Sequence, residues 1–225
     1  MISSSTAVAT SLGVLSAVAF FLALLVFLRY YRERQACHLY WSVGLFLVFV
    51  TLAEEVPLYL GVWSEPLIQS YLILVAVLVG ILSLGSAELA LSGRWRTLWF
   101  GYIGLMSAAV AVCGVIISVP SSIVVDGVVS GLPPPVIEVL SSLVTFPAAA
   151  LLFVSSLYGA IRRRRPNLLY IALGTAVISA AGALYIASVP ATLYYAEFVG
   201  VVLLFFGFVK IPRLVAPSPQ PGPAS

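Results

Sequence analysis

Residues 7–34 read AVATSLGVLSAVAFFLALLVFLRYYRER, a run without charge from Ala7 to Leu28 that ends on Arg29, Arg32 and Arg34. A helix needs about 20 apolar residues to cross roughly 30 Å of hydrocarbon, and bases collect where such a helix emerges on the cytoplasmic side. The same phrase recurs along the chain, with apolar runs at 7–29, 38–62, 67–91, 97–119, 135–161, 167–188 and 192–212. Short separators carry turn or charge signals: Trp63-Ser64-Glu65-Pro66, Ser92 to Arg96, Arg162 to Arg165 closed by Pro166, and Val189-Pro190. The expected fold class is therefore all-α, a polytopic membrane protein of seven transmembrane helices.

Composition points the same way. The 225 residues are 62% hydrophobic and 8% charged, with a mean hydropathy of +1.14, whereas soluble domains are about 25% charged. Soluble globular, disordered and collagen-like classes are excluded. Met1 to Thr6 lacks the basic region of a cleaved signal peptide, so the first run is read as a mature span. The transmembrane domain is expected over 1–214, and the proline-rich tail 215–225 should be extended or disordered. The connection from about Pro120 to Pro134 reads as an outer loop on the membrane surface.

Orientation follows from the eleven bases, Arg29, Arg32, Arg34, Arg94, Arg96, Arg162 to Arg165, Lys210 and Arg213. All fall in the linkers after runs one, three, five and seven. Under the positive-inside rule the N-terminus is outside and the C-terminus cytoplasmic, in a multi-pass protein of the cell membrane. Trp41, Trp95 and Trp99 are expected at the inner interface and Trp63 at the outer one. The arginine belt is expected to meet anionic lipid headgroups. It accounts for the basic balance without a nucleic-acid partner.

Cofactor and enzyme signals are sparse. Cys37 is placed in a basic linker and Cys113 in a run toward the other face, too far apart for a disulfide. Two cysteines and the single His38, read at the inner interface, cannot build a four-ligand zinc site. No metal and no cofactor is expected. Gly-x-Ser-x-Gly, His-Glu-x-x-His and phosphate-binding loops do not occur, and intramembrane hydrolases of the ceramidase type need several histidines. The chain is not expected to be an enzyme.

An internal repeat is the next signal. A shift of 130 residues lays Arg32, Arg34, Leu39, Tyr40 and Gly44 onto Arg162, Arg164, Leu169, Tyr170 and Gly174, and after a gap of six, Pro66 and Tyr71 fall on Pro190 and Tyr195. Repeats over 7–91 and 135–213 would flank a linker helix at 97–119, and both triplets would run in the same sense across the membrane. This arrangement resembles the 3+1+3 plan of the sugar-transporting SWEET and vitamin-transporting PnuC families, with which microbial rhodopsins are often grouped. The Arg-rich linker followed by Leu39-Tyr40-Trp41-Ser42-Val43-Gly44 also looks like that of uncharacterised prokaryotic seven-helix membrane proteins. The likeness is one of arrangement, with no binding motif matched residue by residue, and it implies transport. Rhodopsins need a lysine near the middle of the last helix. Lys210 lies roughly 27 Å along run seven, so retinal is not expected.

Carboxylates inside the runs are the remaining pointers. Glu54 and Glu55 lie in the outer half of run two near Pro57, and Glu197 lies at similar depth in run seven. Glu138 opens run five at the outer rim, where a helix dipole favours it. Glu88 ends run three within reach of Arg94 or Arg96. The outer half contains no Lys, Arg or His, so each carboxyl there is protonated, hydrated in a vestibule or neutralised by a bound cation. Tyr59, Gln69, Ser70, Tyr71, Tyr185, Tyr194 and Tyr195 lie at comparable depth, and Pro57 frees the carbonyl of Ala53. Glu54, Glu55, Tyr71, Tyr185, Tyr195 and Glu197 form the candidate ion or ligand site. Adjacent Glu54 and Glu55 differ by about 100° around a helix, so only one can face squarely inward.

Glycines at 101, 104, 174, 182, 200 and 207 and Ala181 suit close helix packing, and oligomerisation through the fourth run is compatible with them. Two functions remain. One is a small-solute or cation/proton-linked transporter with an acidic outward-facing site. The other is a non-enzymatic receptor, sensor or scaffold of the same architecture. With Cys37 and Cys113 replaced, single cysteines at positions 3, 94 and 164 should label from outside, from the cytoplasm and from the cytoplasm respectively. Reversal at any two positions contradicts the orientation.

Overall fold

The computed structural model describes residues 4–62, 64–125, 128–129, 133–162, 164, 166–186 and 190–209, and the side chains of residues 4–9, 121, 125, 128, 179–197 and 209 lie outside that description. Seven α-helices account for nearly all of it: α1 Ser4–Glu33, α2 Ala36–Tyr59, α3 Glu65–Ala90, α4 Gly93–Ile116, α5 Pro135–Arg162, α6 Asn167–Ile186 and α7 Pro190–Val209. Helices α1 to α5 are long and apolar enough to cross a membrane, and α6 and α7 contain shorter described apolar stretches, Asn167–Ile178 and Phe198–Phe208. In a helix every interior backbone group is bonded within its own segment, the condition that hydrocarbon imposes.

Local chemistry sets the ends. Helix α1 stops at Arg34, which turns to φ 54° and donates its N–H to the Tyr30 carbonyl at 2.7 Å. Arg164, 130 residues on, takes φ 49° between α5 and α6. These two are the only non-glycine residues with positive φ among those described. Helix α2 closes at Gly61, φ 79°, with Val62 N–H bonded back to the Pro57 carbonyl. Pro135 and Pro190 open α5 and α7, where their missing N–H costs nothing.

Six helices pack in the cyclic order α1, α2, α3, α5, α6, α7, with α7 returning to α1 through the thinnest contact; α4 lies outside against α3 and α5. Large apolar side chains cover the exterior, among them Phe21, Leu105, Phe146 and Ile161, as a lipid-facing surface requires. Inside the ring, Trp41 of α2 stacks on Phe208 of α7 with centroids 4.5 Å apart. Leu45, Leu82, Leu152, Ile171 and Leu204 complete this core.

Two helix joints are built on glycine. Across α2 and α3, the Trp41 indole lies on Gly85 and Leu82 lies on Gly44. Across α6 and α7, Ile171 lies on Gly207 and Leu204 on Gly174. In each case the large side chain occupies the space that a Cβ would fill, so the helices approach closely.

Several sequence expectations are corrected here. Trp41 is fully buried in the core, because Gly85 makes room for its ring, and is not an interface residue. Cys37 lies on the first turn of α2 and not in a linker, and both it and His38 are buried against the bundle. Gly101 and Gly104 face open space, so within the chain they mediate no close packing. The loop before α5 contains a 3-10 turn, Ser121–Ile123, and a two-residue antiparallel ladder pairing Val124–Val125 with Val128–Val129. Its side chains Ile123, Val124 and Val129 join Leu58, Ile68, Val119 and Ile137 in a cluster over the ends of α2, α3 and α5.

At Gly174 an added Cβ would lie 2.8 Å from the Gly200 carbonyl oxygen and 3.0 Å from the Leu204 nitrogen. Backbone cannot step aside, so Gly174→Ala should cost about 1–3 kcal/mol. Gly101→Ala should leave the thermal midpoint in detergent unchanged or slightly raised, since it meets nothing and removes a helix-weakening glycine. Equal effects of the two substitutions would contradict the joint.

Candidate functional site

The α2–α3 joint fixes which residues meet toward the opposite end of this antiparallel pair. Glu54 and Glu55 of α2 come to lie beside Ser70 and Tyr71 of α3. The Ser70 hydroxyl donates to Glu54 Oε1 at 2.6 Å, and the Tyr71 hydroxyl donates to Glu55 Oε1 at 2.8 Å. The two carboxyls differ in setting: Glu55 is 8% exposed, whereas Glu54 is half-buried. Glu55 is therefore the inward one of the adjacent pair. In both, Oε2 is buried and has no hydrogen-bond partner among the described residues.

No cation balances them among those residues. The ion pairs described are Arg29–Glu33 at 3.1 Å and Arg96–Glu88 at 3.0 Å, both at the arginine end of the bundle. Glu88 thus pairs with Arg96, one of its two expected partners. A buried carboxyl with one oxygen bonded and one unbonded has the chemistry to hold a proton or a small cation. There is no group of three or more His, Cys, Asp or Glu side chains placed to hold a metal among the described residues.

The end of α3 also secures the loop that follows α4. Glu65 accepts the Val119 N–H at 3.1 Å, and the Gln69 amide donates to the Ile117 carbonyl at 3.1 Å. Glu65 was not among the candidate residues; its place beside Pro66 at a helix start reads as a first-turn charge, and its partner lies 54 positions away. Glu138 is exposed on the first turn of α5. The structure thus brings together Glu54, Glu55 and Tyr71. The side chains of Tyr185, Tyr194, Tyr195 and Glu197, with Ala181 and Gly182, lie outside the described residues.

Surface grooves of the described bundle include one between α1 and α2, one along α6 and α7, and one where α3, α4 and α5 meet. None of the three is lined by Glu54, Glu55 or Tyr71. No family model matches the chain, and no curated protein or solved structure matches it.

Tyr71→Phe leaves Glu55 Oε1 without this donor and should cost about 1–3 kcal/mol in thermal or denaturant unfolding. Replacing both partners in Tyr71→Phe with Glu55→Leu should cost clearly less than the sum of the single changes, because neither partner of this bond then outlives the other. Strict additivity would contradict a direct bond.

Proposed function

We propose that this chain is a multi-pass cell-membrane protein of seven spans, N-terminus outside and C-terminus cytoplasmic, that moves a small solute coupled to a proton or cation, with Glu55 as the coupling group. The single observation that carries the reading is the Glu55 carboxyl, buried in the bundle, bonded on one oxygen by Tyr71, unbonded on the other and without a basic partner among the described residues. Intramembrane carboxyls without a cation are costly and usually serve ion or proton movement. On this reading the protein is not an enzyme and needs no cofactor, and its surroundings are the bilayer and anionic headgroups at the arginine end.

The proposed parallel repeat gains support from geometry. The positive-φ pair Arg34 and Arg164 stands at the 130-residue shift that aligns the two linkers. The pairs Trp41/Gly85 and Gly44/Leu82 correspond to Ile171/Gly207 and Gly174/Leu204. They require the 130-residue shift for α2 onto α6 and 122 for α3 onto α7, two fewer than the alignment of Pro66 and Tyr71 suggests. Exchanging α1, α2, α3 for α5, α6, α7 also leaves the cyclic packing order unchanged. In this register Tyr185 aligns with Glu55 in the sequence. The Trp41–Phe208 stack would then close the arginine end of the path.

A second reading is favoured by the bonds themselves: Ser70–Glu54 and Tyr71–Glu55 form a clasp between α2 and α3, as a receptor or scaffold would need. Uptake into proteoliposomes of small cationic, sugar and vitamin-like solutes, with and without a proton gradient, separates the two. Gradient-dependent uptake of at least one solute is expected, lost in Glu55→Gln while the fold is kept. No uptake of any solute, or a Glu55→Gln protein that transports like the parent at every pH, supports the scaffold.

A further inference from the structure

The groove where α3, α4 and α5 meet has a volume of about 330 Å³ and is lined by Leu91, Trp95, Leu98, Trp99, Tyr102 and Leu151. Its two inner rings are fixed by their polar ends. The Trp99 indole N–H donates to Ser83 Oγ at 3.2 Å, and the Tyr102 hydroxyl donates to the Leu143 carbonyl. Their polar tips are thus engaged by α3 and α5, which leaves carbon to line the groove, and the wall stands preformed. Such a wall suits a flexible hydrocarbon chain, because little side-chain entropy is lost on contact.

Charge beside a lining ring narrows the occupant. Arg94 and Arg96 stand on the first turn of α4, but Arg96 is balanced by Glu88 at 3.0 Å. Arg94 is exposed, with its guanidinium 5.6 Å from the Trp95 ring centroid, and no described carboxylate pairs with it. The groove lining itself is uncharged, so Arg94 meets it only through the Trp95 ring. A preformed apolar groove with an unbalanced guanidinium beside a lining tryptophan complements one chemistry, an acyl chain joined to a phosphate. We propose that this groove is a binding site for an anionic phospholipid, its chain along Trp95, Trp99 and Tyr102 and its phosphate at Arg94.

The full-length protein in detergent, titrated with phosphatidylglycerol and with phosphatidylcholine of identical chains, tests this by native mass spectrometry. One phosphatidylglycerol should be retained about fivefold more strongly than phosphatidylcholine, the effect of a single arginine on an anionic headgroup, and Arg94→Ala should erase the difference. Leu98→Trp, at a residue 60% exposed, should fill the groove and weaken both lipids, while excess inorganic phosphate should displace neither. Equal retention of the two lipids, an unchanged preference in Arg94→Ala, or unweakened binding in Leu98→Trp would overturn the site. Circular dichroism of both variants matching the parent shows that lost binding is not lost fold.

Discussion

The close approach of α2 and α3, with the Trp41 indole on Gly85 and Leu82 on Gly44, is the constraint on which the rest of the molecule depends. Hydrophobicity cannot drive helices together in lipid, so packing and polar bonds must do so. Two glycines bring the backbones near enough for short side chains to reach across. That register, carried along two antiparallel helices, sets Glu54 beside Ser70 and Glu55 beside Tyr71. A residue larger than glycine at either joint position would separate the helices where these bonds need them close.

The same device recurs in the second half, where Ile171 and Leu204 rest on Gly207 and Gly174. Each joint stiffens its own pair of helices. The contact between α7 and α1 is thin, and the contact between α3 and α5 is backed on the outside by α4. In a transporter built of two such halves, motion would concentrate at the α7–α1 seam. Trp41 and Phe208 meet from opposite halves, so relative motion of the halves would part that stack.

Much of the fold was legible in the sequence because hydropathy is a one-dimensional signal. Seven apolar runs gave seven helices, with ends shifted by a few residues where Arg34 and Gly61 turn the chain. The partnership of Glu88 with an arginine was also readable, since both lie near one short linker. Burial of Trp41 was not legible. The gap that admits its ring is a glycine 44 positions away, and nothing local separates such a tryptophan from one at a headgroup. Cys37 was misplaced in a linker for the same reason, since α2 begins at Ala36 and buries both Cys37 and His38. Glu54, Glu55 and Tyr71 could be named from depth alone. Which carboxyl faces inward needed the α3 register, and the roles of Glu65 and the Val124–Val129 pairing depended on a loop that no periodicity describes.

Infrared difference spectroscopy of the purified full-length protein, compared with Glu55→Gln, tests most directly whether Glu55 is an exchanging group. Stepping the pH, and adding sodium, potassium or an organic ammonium ion, should change the intensity of a carboxylic-acid carbonyl band that the Gln variant lacks. A Glu55 band that keeps its intensity through every pH and every cation would mark a permanently bonded structural acid and contradict its role as the coupling group.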